Sequence, residues 1–242
     1  MGEQALQKLV ITDDSAYAEK MAAEGFPVLG ILTEANRSDA FTGVKYLCED
    51  TESLTEVYLD KVYRRYKGLP CDIVETERCL IRETTEADVD AFYRIYEDAS
   101  VTAYMEDLFI DRDEQIDYIR QYRKNMYEFC DFGIWTVLLK ETGEIIGRAG
   151  FALREGYEEP ELGFLIGVPW QGQGLATEVC EAILKYGAEE LEFHTVRALA
   201  EKRNDKSVRL LQKLGFIKTG TYEDKGKQYL LFFKTCNKRL SV

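Results

Sequence analysis

The sequence is poor in the residues that most often bind transition metals. Its 242 residues include a single histidine, His194, and six cysteines that form no C-x-x-C pair. Structural zinc sites use four Cys or His ligands at short spacings, so this pattern argues against a metal. Several of the cysteines fall inside apolar runs, which favours buried, reduced thiols over disulfides. They are Cys48, Cys71, Cys79, Cys130, Cys180 and Cys236.

Long uncharged runs are absent as well. No stretch approaches the length that a membrane-spanning helix needs. The first ten residues, MGEQALQKLV, lack the basic flank and apolar core of a secretory signal. A cytoplasmic location is therefore expected.

Positive charge is in deficit. Lys and Arg number 31 against 44 Asp and Glu, which gives a formal net charge of −13. Such a surface repels nucleic-acid phosphates and anionic membranes and attracts cationic substrates such as amines. The negative charge is equally compatible with a protein in which it serves only to maintain solubility. The hydrophobic content of 45% supports a real core, in one large domain or two small ones.

Residues 1–75 predict a small Rossmann-like α/β domain with a structural or regulatory role. Helical and extended patterns alternate as β-α-β-loop-β-α, which is typical of a parallel sheet. The predicted strands are Leu9–Thr12, Val28–Leu32 and Val44–Cys48, and the predicted helices are Ala16–Glu24 and Ser53–Lys67. The second helix is expected to share an apolar face made of Leu54, Val57, Tyr58, Val62 and Tyr66.

The stretch VITDDSAYAEKMAAEGFPVLGIL resembles the second half of a haloacid-dehalogenase-type domain, in which an acidic pair after a strand binds magnesium. That family also needs an aspartate nucleophile, a second aspartate two residues on and a downstream lysine, and this segment lacks the set. We therefore expect Asp13 and Asp14 to cap the following helix rather than to bind a metal. Retained phosphate or metal chemistry is the alternative.

A strand, a glycine-rich turn and a helix N-terminus follow one another in residues 161–191. The apolar run Leu162–Val168 leads into a turn with Gly172 and Gly174, and apolar residues then recur every three or four positions from Ala176. Such a turn exposes N–H groups that, with the helix dipole, hold a phosphate. It matches neither a Walker loop nor G-x-G-x-x-G. Taken alone, it equally fits a turn that uses glycine for its geometry.

Residues 76–242 predict a second α/β domain with the order β-α-α-β-β-β-α-β-α-β-β. Thr85 and Asp88 fit a capping box, Gly143 fits a hairpin turn, and Asn204 fits the N-cap of the last helix. The remaining predicted strands are Glu77–Arg82, Gly133–Leu139, Glu144–Phe151, Thr195–Ala200, Ile217–Tyr222 and Gln228–Lys234, and a further helix is predicted over Asp113–Phe129.

Four motifs give this domain a specific resemblance. They are LIRE at 80–83, ELGFLIG at 161–167, QGQGLA at 171–176 and NDKSVRLLQKLGF at 204–216. In this order and spacing they make residues 77–235 resemble a GNAT-type N-acetyltransferase, in the branch of the RimJ and RimL ribosomal-protein N-terminal acetyltransferases. The resemblance implies a mixed, twisted central sheet. It also implies transfer of an acetyl group from acetyl-CoA to a primary amine, on a protein N-terminus or a small cationic amine.

The resemblance places acetyl-CoA on the central strand and on the turn after it. Backbone N–H groups of the turn would hold the pyrophosphate, and the strand end, splayed from its neighbour, would hold the pantetheine arm. The implied residues are Leu165, Ile166, Gly167, Gln171, Gly172, Gln173, Gly174, Leu175, Ala176, Thr177 and Asn204. A basic region supplies candidates for the nucleotide phosphates: Arg197, Lys202, Arg203, Lys206, Arg209 and Lys213.

Glu161 is the candidate general base, directly or through water, because the acceptor amine must lose a proton. A glutamate that binds a cationic acceptor or caps the strand is the alternative. Many GNAT enzymes place a tyrosine where this sequence has Leu211, so the general acid stays open, with Tyr104, Tyr157 and Tyr222 as substitutes. This departure motivates a second hypothesis, a CoA-binding sensor without turnover.

The acceptor pocket implied by the resemblance lies between residues 100–111, the strands of the first hairpin and the final hairpin. Its candidate lining is Tyr104, Met105, Phe109, Trp135 and Phe151, with core packing the stronger expectation for Trp135 and Phe151. Whether the protein is a monomer or a homodimer is open.

Overall fold

The protein divides into two compact units, one up to Cys71 and one from Asp72 onward. A computed structural model describes residues 9–105, 107–224 and 226–236. The division comes before residue 75, the end of the predicted first domain, because Asp72–Glu75 is a strand that pairs with Cys79–Arg82 in the second unit. No helix of the described residues is long and apolar enough to cross a membrane.

The first unit contains a three-stranded parallel sheet, as the alternation of elements predicted. Its strands β1 (Val10–Thr12), β2 (Val28–Ile31) and β3 (Tyr46–Cys48) lie in that order. Helix α1 (Ser15–Ala23) follows β1, and helix α2 (Glu56–Tyr66) follows β3. Leu29, Cys48, Leu59 and Val62 are buried in one cluster, so β2, β3 and α2 share a core.

The buried face of α2 agrees with the predicted one at Tyr58, Val62 and Tyr66, but not at Val57. Leu59 and Val62 are buried, whereas Val57 is 79% exposed. A helix turns by about 100° per residue, so Val57, two residues before Leu59, points to the opposite side. The Tyr66 hydroxyl donates to the Val28 carbonyl at 2.8 Å, which keeps that tyrosine on the buried face as predicted.

Of the two aspartates predicted to cap α1, Asp14 is the N-cap and Asp13 precedes it. Oδ1 of Asp14 accepts a hydrogen bond from the Tyr17 N–H at 2.9 Å. The backbone carbonyl of Asp13 accepts one from Asn36 Nδ2 at 2.7 Å. Within the described ranges, no group of three or more His, Cys, Asp or Glu side chains is arranged to hold a metal ion.

The second unit is built on a mixed eight-stranded sheet. Its strands are β4 (Asp72–Glu75), β5 (Cys79–Arg82), β6 (Ile134–Leu139), β7 (Ile145–Ala152), β8 (Glu161–Ile166), β9 (Thr195–Glu201), β10 (Ile217–Asp224) and β11 (Lys227–Thr235). Their order is β10-β11-β9-β8-β7-β6-β5-β4, and the β8–β9 pair is parallel while the other neighbours are antiparallel. The parallel pair brings the C-terminal ends of β8 and β9 to the same edge of the sheet.

Helices cover both faces of this sheet. They are α3 (Val89–Tyr96), α4 (Ala99–Thr102), α5 (Arg112–Tyr122, continued by a π-helical turn over Arg123–Tyr127), α6 (Leu175–Glu189) and α7 (Asp205–Lys213). Ile146 of β7 lies in the main core with α6, whereas its neighbour Ile145 packs against a cluster from α3 and α5. Successive side chains of a strand point to opposite faces, so α6 and the α3–α5 pair lie on opposite sides of the sheet.

Candidate active site

Strands β8 and β9 meet at one point and then separate. Glu161 and Arg197 are register partners, and the Arg197 N–H donates to the Pro160 carbonyl at 2.9 Å. Along its other edge β8 pairs with β7 from Glu161 to Ile166. The edge of β8 beyond Glu161 therefore has backbone groups that β9 does not satisfy, which is the separation implied by the resemblance.

The turn before α6 presents a row of unpartnered backbone donors. Gly172 and Gly174 have φ angles of 76° and 81°, in the left-handed region that favours glycine, and Gly174 is the N-cap of α6. The N–H groups of residues 172–177 donate to no other group of the described chain. These donors lie at the positive end of the helix dipole, so the turn can bind an anion such as a pyrophosphate.

The Gln171 side chain links this turn to β8 and to α7. Its Nε2 donates to the Ile166 carbonyl at 2.8 Å, and its Oε1 accepts from Lys206 Nζ at 2.9 Å. The bridge brings the Lys206 ammonium beside the turn. Lys206 is thus a member of the predicted basic region that lies where a phosphate would be bound.

Three of the predicted cofactor residues have side chains in the core. Leu165, Ile166 and Leu175 are 7%, 6% and 2% exposed. Their side chains hold β8 and the start of α6 against the rest of the unit. Only their backbone groups are available to a ligand, in keeping with the backbone role that the resemblance implies.

A cluster that the sequence patterns did not reveal lies behind the turn. Nε and Nη2 of Arg78 each lie 2.7 Å from Glu178 Oε2, while the Arg78 N–H and the Thr76 hydroxyl donate to Oε1 at 2.9 and 2.6 Å. Arg78 Nη1 also donates to the Gln173 carbonyl at 3.0 Å. Burial opposes ionisation of Glu178, but these hydrogen bonds outweigh it and lower the pKa of that carboxyl. Arg78 and Glu178 are 100 residues apart, so no local motif could pair them.

Glu161 lies where β8 and β9 begin to separate, and it is 7% exposed. Its Oε1 accepts from Arg154 Nε at 3.0 Å, and its Oε2 lies 3.2 Å from Arg197 Nη2. The second contact is an ion pair without hydrogen-bond geometry, so Oε2 accepts no hydrogen bond from the described residues. The Arg197 guanidinium stacks on Tyr157, 3.5 Å from the ring centre. Two arginines thus orient the carboxylate, while Oε2 keeps the capacity to accept a further hydrogen bond.

Arg197 does not belong to the basic surface region in which the sequence placed it. It is 2% exposed and is engaged with Glu161 and Tyr157. Strand β9 points alternate side chains to opposite faces, and Val196 and Ala198 occupy the main core. Arg197 therefore faces the side of the sheet opposite α6, together with its register partner Glu161.

Asn204 is the N-cap of α7, as predicted. Its Oδ1 accepts from the Ser207 N–H at 3.2 Å, and its own N–H donates to the Glu201 carbonyl at 2.8 Å. The Tyr104 hydroxyl donates to the carbonyl of the adjacent Arg203 at 3.3 Å. The loop after α4 therefore reaches the start of α7, close to the end of β9.

The predicted aromatic residues fall into two groups. Trp135 and Phe151 are fully buried in the main core, where their rings pack edge to face at 6.1 Å. Their burial removes them from the candidate pocket and confirms the core assignment. Tyr104, Met105 and Phe109 are 38%, 39% and 47% exposed and stay available to an acceptor.

Leu211, at the position where the resemblance implies a tyrosine, is completely buried in the main core. This position cannot supply a proton donor. Of the substitute tyrosines, Tyr157 is engaged with Arg197, and the Tyr222 ring lies 6.4 Å from that of Tyr229.

Comparison with known proteins gives a family match that lies within the second unit, together with similar proteins and solved structures. The family model of the GNAT acetyltransferase domain matches residues 78–217. The uncharacterized N-acetyltransferase p20 of Bacillus licheniformis is 30% identical over 151 residues, which cover 62% of this chain and 84% of that protein. The ribosomal protein uS5 alanine N-acetyltransferase of Escherichia coli is 37% identical over 83 residues, which cover 34% of this chain and 43% of that protein.

A solved structure shows the same fold. RimL, the ribosomal L7/L12 alpha-N-protein acetyltransferase, in complex with coenzyme A, has a TM-score of 0.59 at 13% identity, and the match covers 68% of this chain and 97% of that one. The GNAT fold predicted from the four motifs is thereby confirmed.

Proposed function

Because this chain belongs to the GNAT acetyltransferase family and is an acyltransferase, we propose that it transfers an acetyl group from acetyl-CoA to a primary amine. The observation that carries the proposal is the junction of β8 and β9. There an open strand edge, the unpartnered N–H groups of residues 172–177 and the Glu161 carboxylate all lie on elements that meet within one unit.

The chain's own groups suit each part of the CoA molecule. The N–H groups of residues 172–177 would hold the pyrophosphate, with the Lys206 ammonium beside them. The free edge of β8 and the Asn204 amide nitrogen would hold the pantetheine arm. Acetyl-CoA supplies the thioester that the amine attacks.

Glu161 is proposed as the general base. Its Oε2 would take the proton of the acceptor amine, directly or through a water molecule, while Arg154 and Arg197 hold the carboxylate in place. Tyr104 is the favoured proton donor to the departing thiolate, because its hydroxyl lies next to Asn204, one of the proposed pantetheine contacts.

A protein N-terminus is the favoured acceptor. The Escherichia coli relative acts, by its name, on an alanine of ribosomal protein uS5. A small cationic amine is the other acceptor class. A cytoplasmic location is also proposed, and it fits the free thiol state of all six cysteines.

Substitution of Glu161 by Gln tests the function. Glu161→Gln is expected to lower kcat about 100-fold, because the amide cannot accept the proton. The Kd for CoA, measured by calorimetry, should stay unchanged because backbone groups hold the cofactor. Glu201→Gln is the matched control: this carboxylate, on the neighbouring strand, pairs with Lys227 at 3.6 Å and is expected to leave kcat unaffected.

The sensor hypothesis has its own observation, the burial of Leu211 at the usual tyrosine position. A wild-type protein that binds CoA but acetylates neither N-terminal peptides nor polyamines would favour the sensor. Unchanged kcat in Glu161→Gln, with the wild type active, would contradict the assignment of the base.

A further inference from the structure

Thr76, Arg78 and Glu178 form a hydrogen-bonded cluster, the Arg78 cluster, directly behind the glycine turn. From this position it can influence how the turn binds a diphosphate. We infer that Arg78 is a positioning residue for the pyrophosphate of CoA, which it serves by orienting the Gln173–Gly174 peptide and by compensating the charge of Glu178. The inference rests on the proposed function, since it takes CoA as the ligand.

The first role follows from the geometry of the peptide group. Arg78 Nη1 donates to the Gln173 carbonyl at 3.0 Å. In a trans peptide the carbonyl and the following N–H point in opposite directions, so the Gly174 N–H is turned away from Arg78. The guanidinium also lies close behind Gly174, with Nη2 3.6 Å from the position that a Cβ would take. Arg78 therefore fixes the direction of a donor at the N-cap of α6.

The second role follows from the place of Glu178 in the first turn of α6. A carboxylate there opposes the binding of an anion at the same helix end, because the two negative charges repel each other and compete for the positive end of the same dipole. Its side chain is 19% exposed, so solvent screens the charge only in part. Arg78 compensates this charge through two of its nitrogens at 2.7 Å, and the Thr76 hydroxyl donates to the other oxygen.

Both roles at once require the planar fork of an arginine. Nε and Nη2 contact the carboxylate while Nη1 contacts the carbonyl, which places three donors of one rigid group on two acceptor groups. A lysine ammonium lacks this geometry. The pairing thus ties the residue just before β5 to the start of α6 and leaves the opposite side of the turn for phosphate oxygens.

Arg78→Gln in the full-length protein is the test. The Kd for CoA, measured by calorimetry, is expected to rise about tenfold. The Kd for pantetheine, which has no pyrophosphate, is expected to stay unchanged when measured by competition. Arg120→Gln is the matched control, because Arg120 also contacts carboxylates through two of its nitrogens, Asp117 at 2.9 Å and Glu86 at 3.2 Å, and donates to no residue of the turn among the described residues. It should bind CoA as the wild type does.

The double variant Arg78→Gln, Glu178→Gln separates charge compensation from general damage to the fold. It is expected to recover part of the lost CoA affinity, because the uncompensated carboxylate has been removed. No recovery would overturn the charge-compensating role. An unchanged CoA Kd in Arg78→Gln, or an equal loss for CoA and pantetheine, would overturn the inference while leaving the proposed function intact. A wild-type protein that binds no CoA would overturn both.

Discussion

Asp88 is a buried carboxylate that is satisfied from three sides. Arg82 donates to its two oxygens from Nη1 and Nη2 at 2.8 and 2.7 Å, and the Thr85 N–H and the Thr136 hydroxyl each donate at 2.9 Å. Burial opposes its ionisation, but these hydrogen bonds prevail and hold the pKa of Asp88 below its ordinary value. The predicted capping box of Thr85 and Asp88 is confirmed. The contacts of Asp88 with Arg82 and Thr136 could be identified only from the tertiary structure.

Asp88→Asn is expected to lower the free energy of unfolding by about 3 kcal/mol at neutral pH, because Arg82 would lose its partner in a poorly hydrated position. A lowered folded-state pKa stabilises the protein above the unfolded-state value of about 4, and this stabilisation is lost as the pH falls through the folded-state value. Urea unfolding from neutral to acidic pH should therefore show a smaller acid-dependent loss in the variant.

The control for this prediction is Asp117→Asn. Asp117 pairs with Arg120 at 2.9 Å but is 71% exposed, so the change should affect stability little. If Asp88→Asn and the wild type lost stability in parallel as the pH fell, the linkage argument would be wrong.

At the level of elements, the contact between α6 and the sheet depends on one glycine. Gly187 faces Phe151, and a Cβ at that position would lie 2.7 Å from the ring atom Cζ. The Phe151 ring is itself packed edge to face against Trp135 and Phe193, with ring centres 6.1 and 5.1 Å apart. The absence of a side chain at Gly187 therefore sets how closely α6 approaches the core beneath it.

Gly187→Ala is expected to destabilise the protein by about 1–3 kcal/mol through overpacking. This sign is opposite to that of intrinsic helix propensity, which favours Ala over Gly by about 1 kcal/mol. Thermal unfolding measures the effect, and Glu181→Ala on the exposed side of the same helix is the control that should not lower stability. A rise in Tm for Gly187→Ala would contradict the overpacking argument, since it would show that Phe151 and its neighbours Trp135 and Phe193 can shift to accommodate the methyl group.

On the scale of the whole molecule, the chain consists of two units with separate sheets and cores. The first unit buries Leu29, Leu59 and Val62 in a cluster of its own. The second contains the whole family match and every residue proposed to bind CoA or to catalyse transfer. Independent cores predict that the second unit folds by itself.

A fragment of residues 72–242 is expected to fold and to bind CoA with the Kd of the full chain. A cooperative thermal transition and calorimetric titration with CoA would check both points. A fragment that folds but binds CoA more than about tenfold more weakly would show that the first unit contributes to the site.

Local sequence determined most of the elements and the geometry of the glycine turn before α6. Some features depend only on neighbours within a few residues and can therefore be predicted from the sequence. They include the glycines at 172 and 174, the Asn204 cap and the apolar periodicity of α6. The mixed sheet could likewise be expected from the four motifs in their order. Val57 was misplaced because an apolar residue does not by itself show which side of a helix is covered.

The tertiary structure alone decided the charge pairs of the site. The sequence predicted Arg197 to belong to a basic surface region, whereas the side chain is buried against Glu161. Arg78 contacts Glu178, which lies 100 residues later in the sequence. Such pairs depend on which strands are neighbours, on their register and on which face each side chain takes, and none of these is encoded by local spacing. The sequence could therefore propose Glu161 and the glycine turn as site candidates, but only the fold could show which arginines contact them.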